Sequence, residues 1–455
     1  MAKINKPNKK DPIFTHEGAR AVHISSEQEL RRSVMAYLLW ENTFYEDGKS
    51  IADRISDLCA KVAPEKIAQI AIEARHDQHL RHVPLLLLRN LVKHGKGSIV
   101  ADTIAKVISR ADELSEFVVI YWEDKKNKKM IPNQMKKGLA KAFTKFNEYS
   151  LAKYNRDVAV KLRDVLFLCH AKPKDEEQAL LWKKLVDGDL PVPDTWEVQL
   201  SGGVDKKETF ERLIREGKLG YLALLRNLRN MEQAGCDVAL VKAAIEARQN
   251  GADKVLPFRF IAAARNAVRY EPSLDKALLA TVENLPQLKG TTAVLVDVSG
   301  SMHAKLSGKS DLTRQDAAAA LASIINAEDL RVFSFADKII EIPPRRGMAG
   351  IEAIVKSQSG GTRLYDAVAR VNDLVNYDRI IVITDEQTLG PNKQSFGYFI
   401  RGDLNSLPDP KPGTKGYMIN VANYQNGVGY GVWTHIDGFS ENIIRWIVQN
   451  EITDL

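Results

Sequence analysis

The sequence predicts a multidomain protein: an all-α helical-repeat array followed by a doubly wound α/β domain. Three observations lead there. Apolar residues recur at three- and four-residue spacing from about Ser25 to Leu285, with short Gly, Pro or Asp stretches between the runs. The segment Leu87-Leu88-Arg89-Asn90-Leu91 returns as Leu224-Leu225-Arg226-Asn227-Leu228, and more weakly as Ala264-Arg265-Asn266-Ala267. From Thr291 onward, β-branched apolar runs alternate with helical ones.

In chain order, Met1 to Pro12 is rich in Lys and Asn, and residues 1–24 are expected to be a disordered basic tail. No apolar stretch of signal-peptide type follows it. Residues 25–288 form the array, with helices expected at Leu30–Trp40, Pro64–Ala74, Val83–Lys93, Gly138–Phe146 and Pro257–Val268. Its repeat period is irregular, and Leu-Leu-Arg is also common in ordinary helices. Pro286 to Gly290 reads as the linker to a second domain over 289–455. There, strands are expected at Thr291–Val298, Leu330–Phe335, Arg379–Thr384, Gly416–Val421 and Gly431–Ile436. Helices are expected at Asp316–Ala327, Leu364–Val375 and Ser440–Val448.

The net charge of +7 is uneven. Residues 291–455 hold 16 Lys and Arg against 19 Asp and Glu, so the surplus belongs to the N-terminal part. Residues 125–174 alone hold 14 against 3. A face this basic points to nucleic acid; a solubilising surface is the alternative. Lys137, Lys141 and Lys145, at i, i+4 and i+8, form a like-charged stripe that a phosphate backbone would relieve, although plain solvation would also tolerate it. Leu139, Phe143 and Phe146 mark the opposite, core face. Cys59, Cys169 and Cys236 lie far apart, with no CxxC pair, and read as free thiols of a reducing, cytoplasmic compartment. No run of eighteen apolar residues suggests a membrane span.

One constellation carries chemistry. The first strand of the second domain ends in Asp297-Val298-Ser299-Gly300-Ser301; Gly360-Gly361-Thr362 precedes a helix; another strand ends at Asp385. All three pieces fall at the carboxyl edge of one sheet, where α/β folds place ligands. Two carboxylates and three hydroxyls make a hard-oxygen set suited to Mg2+, with room for an outside acidic oxygen.

Asp297, Ser299, Ser301, Thr362 and Asp385 resemble the complete metal-ion-dependent adhesion site of von Willebrand factor A domains. A helical array followed by such a domain resembles the Ro family, in a bacterial form, whose helical part is the TROVE module. The resemblance runs from about residue 25 to the end. It rests further on Lys153-Tyr154-Asn155-Arg156, on Cys169-His170-Ala171-Lys172-Pro173, on the stretch from Tyr221 to Leu228, and on Pro257-Phe258. It implies a ring of HEAT-like helix pairs that admits single-stranded 3′ ends of misfolded RNAs. It also implies an outer surface that binds a small noncoding Y RNA, an exoribonuclease as partner, and a monomer. Lys153, Arg156, His170 and Lys172 would belong to the outer site, Arg226 and Arg259 to the inner one. Arg156 is displaced by one residue from the family's spacing. For His170 alone, a helix-end structural role is the competing reading.

No catalytic motif emerges. Gly48-Lys49-Ser50 and Gly308-Lys309-Ser310 have Thr43 and His303 where a phosphate-binding loop needs glycine. A single metal without a nearby base does not suggest hydrolysis. The protein therefore reads as a non-enzymatic RNA binder. The rival is a metal-dependent protein–protein adaptor, which would have no need of the basic window.

Overall fold

Local signals set the helix starts. The Ser25 hydroxyl accepts from the Gln28 amide while the Gln28 side chain accepts from the Ser25 amide, so helix Ser26–Met35 opens on a capping box. Asp47, Asp175 and Asp205 cap later helices in the same N-terminal sense. The structure, a computed structural model, describes residues 11–123, 130–308, 310–390 and 406–453.

The helices stack in two rows. Ser26–Met35, Pro64–His76, Ser98–Val107, Asn133–Phe143 and Leu162–Cys169 pack successively in one; Gly48–Cys59, Val83–His94 and Ala111–Trp122 pack in the other. Further along, Lys206–Arg215, Val238–Ala247 and Glu271–Leu279 form a row beside Tyr221–Gln233 and Phe258–Asn266. Within these rows each helix lies against the one two places along, the arrangement of stacked helix pairs.

The second unit is a six-stranded sheet of β1 (Leu288–Asp297), β2 (Ala327–Phe335), β3 (Ile339–Ile342), β4 (Arg379–Thr384), β5 (Lys415–Asn420) and β6 (Thr434–Asp437). The order is β3-β2-β1-β4-β5-β6, parallel except for β3. Period-two alternation divides β1 between two cores. Val294 and Val296 join the large core shared with the array; Ala293 and Leu295 face Val368 and Val371 of helix Leu364–Leu374.

Both ends of the array dock on this sheet domain. Helix Ser26–Met35 meets β6, Phe258–Asn266 meets helix Arg314–Ile324, and Glu271–Leu279 meets helix Gly347–Val355. The sheet domain thus touches both the first helix of the array and its last ones. Arg265 pairs with Asp316 at one seam, and Phe258 meets Phe439 edge to face.

Several expectations shift. Residues 11–24 are not a loose tail: Thr15 and Ala19 are buried, and Gly18 bridges to Leu389. Residues 1–10 lie outside the described residues. Helix Asn133–Phe143 ends before Lys145, which therefore leaves the expected stripe. The structure adds β3, a four-residue antiparallel edge strand with too few alternations to register in sequence, and helix Gly347–Val355. The three cysteines are buried free thiols. Among the described residues no helix is long and apolar enough to cross a membrane.

Candidate metal centre and nucleic-acid interface

The parallel order brings the ends of β1 and β4 side by side, because Val296 pairs with Ile383 in register. Asp297 therefore ends its strand beside Thr384, and the Thr384 hydroxyl donates to Asp297 Oδ2 at 2.5 Å. The Ser299 amide donates to Asp297 Oδ1 at 2.9 Å, and the Ser299 and Ser301 hydroxyls lie 3.4 Å apart. Gly300 N–H donates to Gly360 O at 2.9 Å, tying this turn to the second loop. Gly360 has φ 155°, a conformation that favours glycine. Thr362 O accepts from Leu389 N–H and from the Thr388 hydroxyl, tying that loop to the third. All five residues are buried.

The donor set fits a divalent cation. Asp385 Oδ1 accepts the Gln387 amide at 3.0 Å, but its Oδ2 is buried with no hydrogen-bond partner among the described residues. No ion pair to Asp297 or Asp385 occurs among the described residues. Burial raises both carboxyls above the ordinary range, and the Asp385 charge raises Asp297 further; the Ser301 hydroxyl works against the shift at Asp385. A hard cation would satisfy the orphaned oxygen and cancel that repulsion.

On the array, the expected contacts divide. Lys137 is exposed on helix Asn133–Phe143. Lys141 pairs with Asp102 at 2.9 Å. The Lys145 ammonium donates to Ala105 O at 2.5 Å and to Ile108 O, carbonyls at the end of helix Ser98–Val107; burial lowers its pKa. Lys125, Lys126, Lys128 and Lys129, the most basic part of the 125–174 window, lie outside the described residues.

Lys153 is half-buried, with Nζ 5.7 Å from the ring centres of both Tyr149 and Tyr154; Arg110 lies 4.7 Å from the Tyr154 ring. Arg156, His170 and Lys172 are exposed. His170 ends helix Leu162–Cys169 in the left-handed region, at φ 51°. Phe167, one turn earlier, is 59% exposed. Tyr149 and Phe167, both exposed, add an aromatic component that charge alone does not reveal; in sequence its signal is aromatics interleaved with Lys153 and His170.

Arg226 is exposed on Tyr221–Gln233, and Arg259 is half-buried on the neighbouring helix. Burial, and then the charge of Arg226, lower the pKa of Arg259, so the pair forms a small positive spot.

The TROVE domain family matches residues 188–318, and the von Willebrand factor type A domain family matches residues 292–387. The chain is similar to telomerase protein component 1 of Mus musculus, 34% identical over 89 residues, and of Rattus norvegicus, 33% identical over 89 residues. Those segments are 19% of this chain and only 3% of either relative. The fold resembles the crystal structure of the Deinococcus radiodurans RO (RSR) protein, with TM-score 0.58 and 18% identity over 95% of this chain and 100% of that one.

Proposed function

We propose that this Ro-like chain, a TROVE domain joined to a von Willebrand factor A domain, is a non-enzymatic RNA-binding protein. Its outer basic surface would hold a structured, Y-like noncoding RNA through Lys153, Arg156, His170 and Lys172, with Lys137 extending that surface. The inner face of the array, as a ring, would take single-stranded 3′ ends near Arg226 and Arg259. Such a protein would serve RNA quality control or processing in the cytoplasm as a monomer, handing RNA to an exoribonuclease.

The observation that carries the reading is the pairing of the two domain matches with a charge surplus that lies N-terminal to the sheet domain and is concentrated at residues 125–174. Backbone phosphates give affinity, and folded RNA is read largely by shape and phosphates. A narrow cavity selects single strands, which bind with little sequence preference. At the sheet edge, Asp297, Ser299, Ser301, Thr362 and Asp385 would hold Mg2+. The cation would supply a Lewis-acidic position for an acidic oxygen of a partner.

The test is purification of the full chain in mild salt, measurement of the 260/280 nm absorbance ratio, and sequencing of co-purifying RNA. A ratio above that of protein alone, with a recurrent small structured RNA, is expected. A nucleic-acid-free protein with no affinity for RNA in gel-shift titrations would refute the reading and favour the adaptor.

A further inference from the structure

Resting on the metal reading above, we propose that Arg32, a residue of the helical array, is a positioning residue for the metal site. Docking of helix Ser26–Met35 and cation binding at Asp385 would then stabilise one another through residues 385–387.

These three consecutive residues serve three neighbours. Asp385 faces the cation site. Glu386, fully buried, turns to the seam between the two domains. Its Oε1 accepts from Arg32 Nη1 and lies 2.6 Å from His435 Nε2; its Oε2 accepts the amides of Val428 at 2.7 Å and Gly429 at 2.6 Å. Gln387 holds the N-terminal segment, accepting from the His16 amide at 2.9 Å and donating to Asn426 O at 3.0 Å.

Arg32 is fully buried and committed to this seam. Its Nε donates to Tyr424 O at 2.6 Å and its Nη2 to Asn426 O at 3.1 Å. Gly427 leaves no room for movement, since a Cβ there would lie 2.5 Å from Arg32 Nη1 and 2.7 Å from Glu386 Oε2.

The connection reaches both carboxylates. Glu386 has φ 59°, a left-handed conformation that a residue with a β-carbon adopts only when its surroundings hold it there. Its amide donates to Thr384 Oγ1 at 2.9 Å, and that hydroxyl donates to Asp297 Oδ2. Arg32 thus links through Glu386 and Thr384 to Asp297, and through the adjoining peptide to Asp385. Without Arg32, Glu386 would keep His435 as its remaining cationic partner, and breaking one arm of a buried ion-pair network is destabilising. Removing Arg32 would therefore release the Glu386 turn and, with it, the orientation of Asp385. A cation at Asp385 would hold the same turn from the other side. Linkage makes the two effects equal.

The test uses the full chain and Mg2+ alone. In calorimetric titration, Arg32→Met should weaken Mg2+ affinity by about fivefold or more, the scale of ordinary coupling between sites. Arg32→Lys, which keeps the charge, should recover part of it. Asp275→Asn, at the opposite seam where Asp275 accepts the Met348 amide, should leave the affinity unchanged. Hydrogen exchange of the unaltered protein should show added protection of residues 26–35 when Mg2+ binds, and Asp297→Ala should abolish that gain. If Arg32→Met does not fold, the exchange result decides. Mg2+ binding without added protection of 26–35, or with equal affinity in Arg32→Met, overturns the coupling. A protein that binds no Mg2+ overturns the metal reading itself.

Discussion

Replacing Lys145 by Gln should cost stability while leaving the salt dependence of RNA binding unchanged; Lys137→Gln should do the reverse. Lys145 donates to Ala105 O and Ile108 O, at the end of helix Ser98–Val107. Hydrogen bonds to a charged donor contribute roughly 1.5 to 3 kcal/mol, and a cation at a helix C-terminus about 0.3 to 1 kcal/mol. Lys145 is also exposed to solvent, which screens these bonds, and glutamine is neutral and shorter, so a loss on the order of 1 kcal/mol follows. Lys137 is exposed, and removing an exposed lysine costs well under about 0.5 kcal/mol. If Lys137 meets a phosphate, its loss should lower the slope of log affinity against log salt by about 0.7 to 0.9. Lys141 is held by Asp102 only in a surface pair, which contributes less than about 1 kcal/mol and can yield to RNA. Changing all three lysines should therefore lower the slope by no more than about 2. The assays are thermal unfolding and RNA-binding anisotropy over a range of salt. A Lys145→Gln protein with an unchanged thermal midpoint and a slope reduced as much as in Lys137→Gln would refute this assignment.

Asp297→Ala should abolish Mg2+ binding while the fold persists, because the site lies at the sheet edge; equal calorimetric titrations of variant and parent would contradict this. Lys153→Ala combined with His170→Ala should weaken a structured RNA and spare one with a single-stranded 3′ tail, and Arg226→Ala should do the opposite. Equal proportional losses for both RNAs in gel shifts would mean one shared surface. His435 gives a pH signature. Burial lowers its pKa, but Asp437 and Glu386 outweigh burial and hold it at about 9. A folded value above the unfolded one means the contribution is full below about pH 6.5 and is lost as pH rises through about 9. Denaturant midpoints should therefore fall across that window, and His435→Gln should flatten the fall; a parent protein equally stable at pH 6.5 and 9 would contradict it.

Much of the architecture is visible along the chain because it is local. A period near 3.6 marks the array, and apolar β-branched runs mark the parallel strands, since each reflects the face that a segment must bury. Asp297, Ser299 and Ser301 announce themselves by spacing on one turn, and Thr362 and Asp385 by their places at element ends. A stripe of Lys137, Lys141 and Lys145 requires a helix that continues past Lys145; the helix stops at Phe143, and Lys145 goes to another helix's carbonyls. No pattern in the sequence distinguishes such a structural lysine from a free one.

Amino-acid order alone determines an array of helices, a following α/β domain, a surplus of positive charge on the first and an oxygen-rich set on the second. Tertiary structure alone decides that both ends of the array dock on one sheet domain. It decides too that Arg32 meets Glu386, 354 residues away, and that residues 11–24 pack beside the loop that follows Asp385. The physical reason is reach. Propensity and periodicity act over a few residues, whereas a buried ion pair, a left-handed peptide and an orphaned carboxylate oxygen arise only when distant segments exclude water together.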